Sequence, residues 1–234
     1  MLTRAAIETQ INQIVAYLVE IGLAGDQNFA FRRELAGGVT EISFQQAAYI
    51  SIALKDRAYA EIYENLTGAR AYNAKMPDGA LIQLMYRFSK EELQSHRLSF
   101  FPAPNLEEFQ NNPEVYLGDE MYADVVARNI VPFPIRFDYV SNTSRADHPK
   151  SHLTLGQYEN CRIPVTAPLT PFWFTDFILR NFYHTAFLNY AGRLPRFSDV
   201  FADCIVANEK SVVHLQVPTA GTLRRLSQAL FSRP

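Results

Sequence analysis

Pro132-Phe-Pro-Ile-Arg-Phe-Asp-Tyr-Val140, then Ser151-His-Leu-Thr-Leu155, then Cys161-Arg-Ile-Pro-Val165 is the stretch that decides the fold. Alternate residues of a strand point to opposite faces of its sheet. In the first segment Ile135, Phe137 and Tyr139 therefore share one face, while Arg136 and Asp138 share the other. In the second, Leu153 and Leu155 oppose His152 and Thr154. The polar loop Ser141–Lys150 and the turn marked by Gly156 and Asn160 are short enough to join neighbouring antiparallel strands. The three segments read as a meander with one apolar and one polar face.

Working outward, Pro168 and Thr170-Pro171 open a long aromatic helix running to about Tyr190, with proline where a first helical turn tolerates it. Toward the N-terminus, Arg97–Phe101 is a further strand, stopped by Pro102 and Pro104, and Leu81–Phe88 is rich in long apolar residues. Asn105 caps a short helix through Phe109, and another helix covers Asp119–Arg128. Residues 46–66 carry Ile50, Leu54, Ala58, Ile62 and Leu66 on one helical face. Phe29–Arg33 and Thr40–Phe44, separated by Ala-Gly-Gly, predict a hairpin. Ile7, Ile11, Ile14, Val15, Leu18 and Ile21 recur at helical spacing, so residues 5–21 predict an amphipathic helix. A short strand at Val212–Val217 and a helix over 220–231 close the chain. Strands in runs, with helices between and after them, predict an α+β fold. It is a mostly meander antiparallel sheet packed by helices in one domain over residues 1–234, with strands within 29–165 and 212–217.

Composition narrows the function classes. Hydrophobic residues make up 48% and aromatics 13%, enough to bury a core that offsets ordering entropy. The formal net charge of -2 offers nothing to a polyanion as a whole, so any nucleic-acid contact needs a local basic patch. Two cysteines, Cys161 and Cys204, make neither a disulfide framework nor a zinc spacing, which fits a reducing compartment. The first turns are too polar for a signal peptide, and Phe172–Tyr190 is too polar to span a bilayer. The expectation is a cytoplasmic protein without membrane contact, with no cofactor and no metal assigned, and an oligomeric state the chain does not specify.

If the apolar faces of the meander meet one core, His152 and Thr154 lie beside Arg136 and Asp138, and Arg162 joins them from the next strand. A neutral histidine can take a proton from a ribose hydroxyl, and a carboxylate can fix its tautomer. Guanidinium groups stabilise charge growing on phosphate oxygens. The sequence thus nominates His152 as base, Asp138 as its orienter, and Arg136, Arg162 and Thr154 as substrate-binding groups. His148 or His96 would supply the second proton transfer. The plainer reading is an ordinary solvated sheet face, with Arg136 and Asp138 as a surface ion pair. His152-Leu-Thr-Leu155 and His214-Leu-Gln-Val217 also resemble the paired His-x-Thr/Ser strands of two-histidine phosphoesterases, with Gln216 where a hydroxyl belongs. Cys161 reads as a small buried hydrophobe, His184 as a satisfied core histidine, and the aromatic residues from Phe172 to Phe187 as core.

Three longer segments carry a family resemblance. His96-Arg-Leu-Ser-Phe-Phe-Pro-Ala-Pro104, Arg128-Asn-Ile-Val-Pro-Phe-Pro-Ile-Arg-Phe-Asp-Tyr139 and Ser151-His-Leu-Thr-Leu-Gly-Gln-Tyr-Glu-Asn-Cys-Arg-Ile-Pro-Val165 resemble the bacterial family called domain of unknown function 2290. The helix Asp176-Phe-Ile-Leu-Arg-Asn-Phe-Tyr183 fits it as well. The resemblance implies a bacterial, cytosolic, single-domain protein and carries no activity, cofactor or catalytic residue. The residues themselves point first to a metal-independent nuclease or nucleotide-phosphoester enzyme acting on RNA or a nucleotide, as the effector of a toxin or phage-defence pair. The competing expectation is a non-catalytic interaction protein with a protein partner, such as an antitoxin, adaptor or regulatory subunit. A small-molecule sensor is a third.

Overall fold

The computed structural model describes residues 2–45, 57–104, 132–143, 148–158, 160–195 and 197–220. Helix α1, Arg4–Glu20, starts where the Thr3 hydroxyl accepts from the Ala6 amide at 3.1 Å. It buries Ile7, Ile11, Ile14, Val15 and Leu18, the stripe its spacing predicts. Strands β1 (Asp26–Gln27), β2 (Phe31–Leu35) and β3 (Val39–Ser43) follow, then α2 (Tyr59–Gly68). The β2–β3 turn places Gly37 and Gly38 at φ of 78° and 71°, which side chains with a Cβ resist. The sheet continues through β4 (Ala74–Lys75), β5 (Leu81–Ser89), β6 (Glu92–Phe101), β7 (Ile135–Val140), β8 (Ser151–Leu155) and β9 (Ile163–Pro164).

Every strand pair is antiparallel, in the order β1-β4-β5-β6-β7-β8-β9, and β3 joins the far half of β5 with β2 outside it. Its apolar face carries Tyr86, Leu98, Phe100, Phe137 and Leu153 into a core closed by α1 and by α3, Pro171–Phe182. Phe174 and Ile178 of α3 are fully buried there, and Trp173, Phe177 and Phe187 pack against the same core. On the other face a smaller cluster of Phe44, Ile62, Leu66, Tyr72, Leu81 and Phe101 seats α2 over one end of the sheet. The architecture is α+β, an antiparallel sheet with helices packed on it.

The differences from the sequence reading have local causes. The aromatic helix is two: α3 stops at Tyr183, with φ -138° and ψ 54°, and α4 runs His184–Tyr190. The Tyr183 hydroxyl donates to the half-buried Asp78 carboxylate at 2.8 and 2.9 Å, a contact that accompanies the break. His184, just beyond it, is exposed rather than in the core. Strand β6 begins at Glu92, five residues before the expected start. Residues 161–165 form only the two-residue β9. In place of a strand over 212–217, Leu215 makes a single parallel bridge with Val165. A short helix α5, Ala207–Lys210, was not anticipated. Of the helix read over 46–66, only Tyr59–Gly68 is helical among the described residues. The helices read at 105–109 and 119–128 lie outside those residues, as does nearly all of the one over 220–231.

Candidate functional site

The polar face of β6, β7 and β8 is laid out by register. Arg97, Asp138 and His152 stand opposite one another across the three strands, and Ser99, Arg136 and Thr154 form the next row on the same face. Neighbouring strands lie about 4.8 Å apart, so each row holds its side chains in contact range. Arg97, Asp138, His152, Arg136 and Thr154, together with Arg87, His148 and Arg162, line a cavity of about 950 Å³. The volume falls within the range of small-molecule sites.

His152 is 4% exposed, and its Nδ1 lies 3.0 Å from the Pro149 carbonyl oxygen. A carbonyl only accepts, so the proton sits on Nδ1 and Nε2 is the basic nitrogen. Burial lowers the His152 pKa; the Asp138 charge and the Pro149 bond oppose that shift. The imidazole is therefore neutral at neutral pH. The ring of His148 stands edge-to-face with it, centroids 4.8 Å apart. His148 also buries its Nδ1 with no protein partner among the described residues. Two histidines, one held as a base, thus meet in the cavity.

Asp138 does not orient His152 by a hydrogen bond. It accepts from Arg97 Nε at 2.9 Å. Burial alone would raise its pKa, but the charges of Arg97 and Arg136 outweigh burial and hold the carboxyl below the ordinary aspartate value. The tautomer role expected of Asp138 falls to the Pro149 carbonyl, while Asp138 supplies a fixed negative charge beside the imidazole.

Among the described residues the charge balance of the cavity is positive. Four arginines line it, Arg87, Arg97, Arg136 and Arg162, against the one carboxylate of Asp138 among the described residues. Arg87 pairs with Glu41 and Arg97 with Asp138. Arg136 and Arg162 form no ion pair among the described residues. Arg136 Nε is buried with no hydrogen-bond partner, and burial lowers its pKa. A guanidinium in that state is under-solvated and gains from an anion. Thr154, 5% exposed, faces it from the adjacent strand. No three His, Cys, Asp or Glu side chains among the described residues converge as metal ligands.

The structure therefore brings together His152, His148, Asp138, Arg136, Thr154 and Arg162; His96 borders the same cavity, but its ring is turned away from them. The His96 ring points to the apolar face, between Tyr86 and Tyr139, where its Nε2 accepts from the Leu169 amide at 3.1 Å. Its placement removes it as a proton donor in the cavity. His214 bonds its local Val212 carbonyl at 2.9 Å and does not line the cavity, and Gln216 is exposed. The facing His-x-Thr/Ser pair is therefore not built. Cys161 is half-buried, and its Sγ accepts from the Leu155 amide at 3.4 Å.

Sequence reasoning passed over Arg97, Arg87 and Tyr158. For Arg97 the signal is present: Leu98 and Phe100 alternate with Arg97 and Ser99, which places both arginine and serine on the face of Arg136.

Among described residues no helix is long and apolar enough to cross a membrane. Residues 23–217 match the family model described as an uncharacterized conserved protein, DUF2290. No curated protein and no solved structure matches the chain.

Proposed function

We propose that this chain, which belongs to the DUF2290 family, is a cytoplasmic phosphoester-processing enzyme working by side-chain acid–base chemistry on RNA or a nucleotide. Arg136 carries the reading: a partly dehydrated guanidinium whose Nε has no hydrogen-bond partner among the described residues, diagonal across β7 and β8 from a histidine whose basic nitrogen is fixed. Arg136 and Arg162 hold the phosphate oxygens, with Thr154 between the strands as a further donor. His152 Nε2 takes the proton from a ribose 2′-hydroxyl. The 2′-oxygen forms a bond to phosphorus while the bond from phosphorus to the 5′-oxygen breaks. His148, as imidazolium, gives its proton to that leaving oxygen, so the products are a 2′,3′-cyclic phosphate and a 5′-hydroxyl. Each proton transfer of this kind contributes roughly a hundred- to ten-thousand-fold.

The alternative, a non-catalytic interaction protein, would need a free apolar face, and the aromatic helix is the candidate for it. That helix packs its apolar side into the core, so it supplies no large free face for a partner.

Titrating the protein calorimetrically with a nucleoside monophosphate tests the anion site. Arg136→Gln should weaken binding about ten- to a hundred-fold, the worth of one lost charge-assisted hydrogen bond. Arg97 still neutralises Asp138 in that variant, so no buried charge is stranded. Wild-type protein that takes up no nucleotide at low salt would sink the reading.

A further inference from the structure

The rim of the cavity differs in chemistry from its floor. Tyr158 is 76% exposed and lines the opening, and Phe133 is 46% exposed beside it. Among the described residues four phenylalanine and tyrosine side chains are exposed, and the other two, Phe29 and Phe31, do not line the cavity. Their placement is specified by the backbone. Gly156 turns the chain at φ 64°, its amide donating to the Pro134 carbonyl at 2.7 Å. A Cβ at Gly156 would meet the Tyr158 ring at 3.5 Å and Phe133 Cβ at 3.7 Å. The turn therefore packs the Tyr158 ring over Gly156 and next to Phe133. The Tyr158 carbonyl accepts from the Cys161 amide at 3.2 Å, which ties this turn to the residue before Arg162.

We infer that Tyr158 and Phe133 form a base-stacking platform, and that the ligand of the cavity is a single-stranded RNA rather than a free phosphate compound. The inference rests on the phosphate-site reading above and adds the substrate class. Single strands are held by a combination of backbone-tracking cations and aromatic faces on which bases stack. Arg136 and Arg162 supply the first and Tyr158 with Phe133 the second. Bases of a duplex are already stacked on one another and cannot use such a platform, so the site selects unpaired RNA. The cavity's positive balance also explains how a chain of net charge -2 meets a polyanion: the attraction is local.

The test is fluorescence anisotropy with a labelled single-stranded oligoribonucleotide, the same strand annealed to its complement, and a nucleoside monophosphate as competitor. Wild-type protein should bind the single strand at least about ten-fold tighter than the duplex, and Tyr158→Ala should remove about ten-fold of that affinity, as loss of one base–aromatic stack does. Tyr158→Phe, which keeps the ring, should stay within roughly two-fold of wild type. The exposed position of Tyr158 leaves the core of the alanine variant untouched. If Tyr158→Ala binds the single strand as wild type does, or if the duplex binds equally, the platform is overturned while nucleotide binding that depends on Arg136 leaves the phosphate site standing. If wild type binds neither RNA nor nucleotide, both readings fall together.

Discussion

His152→Ala is expected to lower RNA cleavage by about a hundred- to ten-thousand-fold, the range for loss of a general base. Nucleotide affinity should change far less, because in the proposed site Arg136 and Arg162 hold the anion. The two readouts separate a lost base from a collapsed site. His152 is buried, so the alanine leaves a small void beside Asp138; His152→Gln fills most of it and should be just as inactive. The pH profile adds a second criterion. Burial holds the His152 pKa below the ordinary histidine value, so the base takes up its proton at lower pH than an unperturbed imidazole. The acidic limb of kcat/KM should therefore lie lower than an unperturbed histidine would put it. Product analysis by chromatography checks the chemistry: a 2′,3′-cyclic phosphate terminus, formed in excess EDTA, is the expected mark of attack by the 2′-oxygen. Cleavage by His152→Ala at the wild-type rate would remove His152 from the reaction.

The meander was legible because its apolar residues alternate without interruption. Ile135, Phe137 and Tyr139 can face one core only if Arg136 and Asp138 face away, and the same logic turns Leu153 inward and His152 outward. Face is a property of one strand, so one sequence gives it. Register is a property of two strands, and only the structure shows Asp138 opposite both His152 and Arg97. The Pro149 bond was not readable, because it depends on how the loop before β8 bends. His96 shows a different kind of miss. It lies two residues before Leu98 and four before Phe100, so once the strand is carried back through it the rule applied to β7 and β8 puts it on the apolar side. Its chemistry as a titratable group drew attention from its position in the strand. Tyr158 escaped notice for the opposite reason: a tyrosine in a polar turn has no periodicity to read.

The same displaced histidine leads to the second large effect. Stability should fall as pH drops from 6.5 toward 4, and His96 should be its main source. In the folded protein the ring is 4% exposed. Burial, opposed by the Asp138 charge and a Phe137 backbone contact, pulls its pKa from 6.5 to about 4. The geometry agrees, since Nε2 accepts the Leu169 N–H and a proton there would cost that bond. Between the two pKa values the unfolded chain binds a proton that the folded one refuses, so unfolding becomes easier as acid is added. At roughly 1.4 kcal/mol per pKa unit the loss reaches about 3 kcal/mol near pH 4. That corresponds to a Tm lower by about 6–12 °C for a chain of this size. His152, whose pKa is also lowered by burial, acts in the same direction. Asp78 acts against it, because burial raises its carboxyl pKa and the folded state takes up that proton early. Asp138, held low, enters only below the ordinary aspartate value. Thermal melts of wild type and His96→Gln across this range provide the check. Glutamine can still accept from Leu169 but does not titrate, so the variant should lose most of the slope between pH 6.5 and 4 while folding normally at neutral pH. An unchanged slope would place the acid sensitivity elsewhere, with His152 the next group to replace.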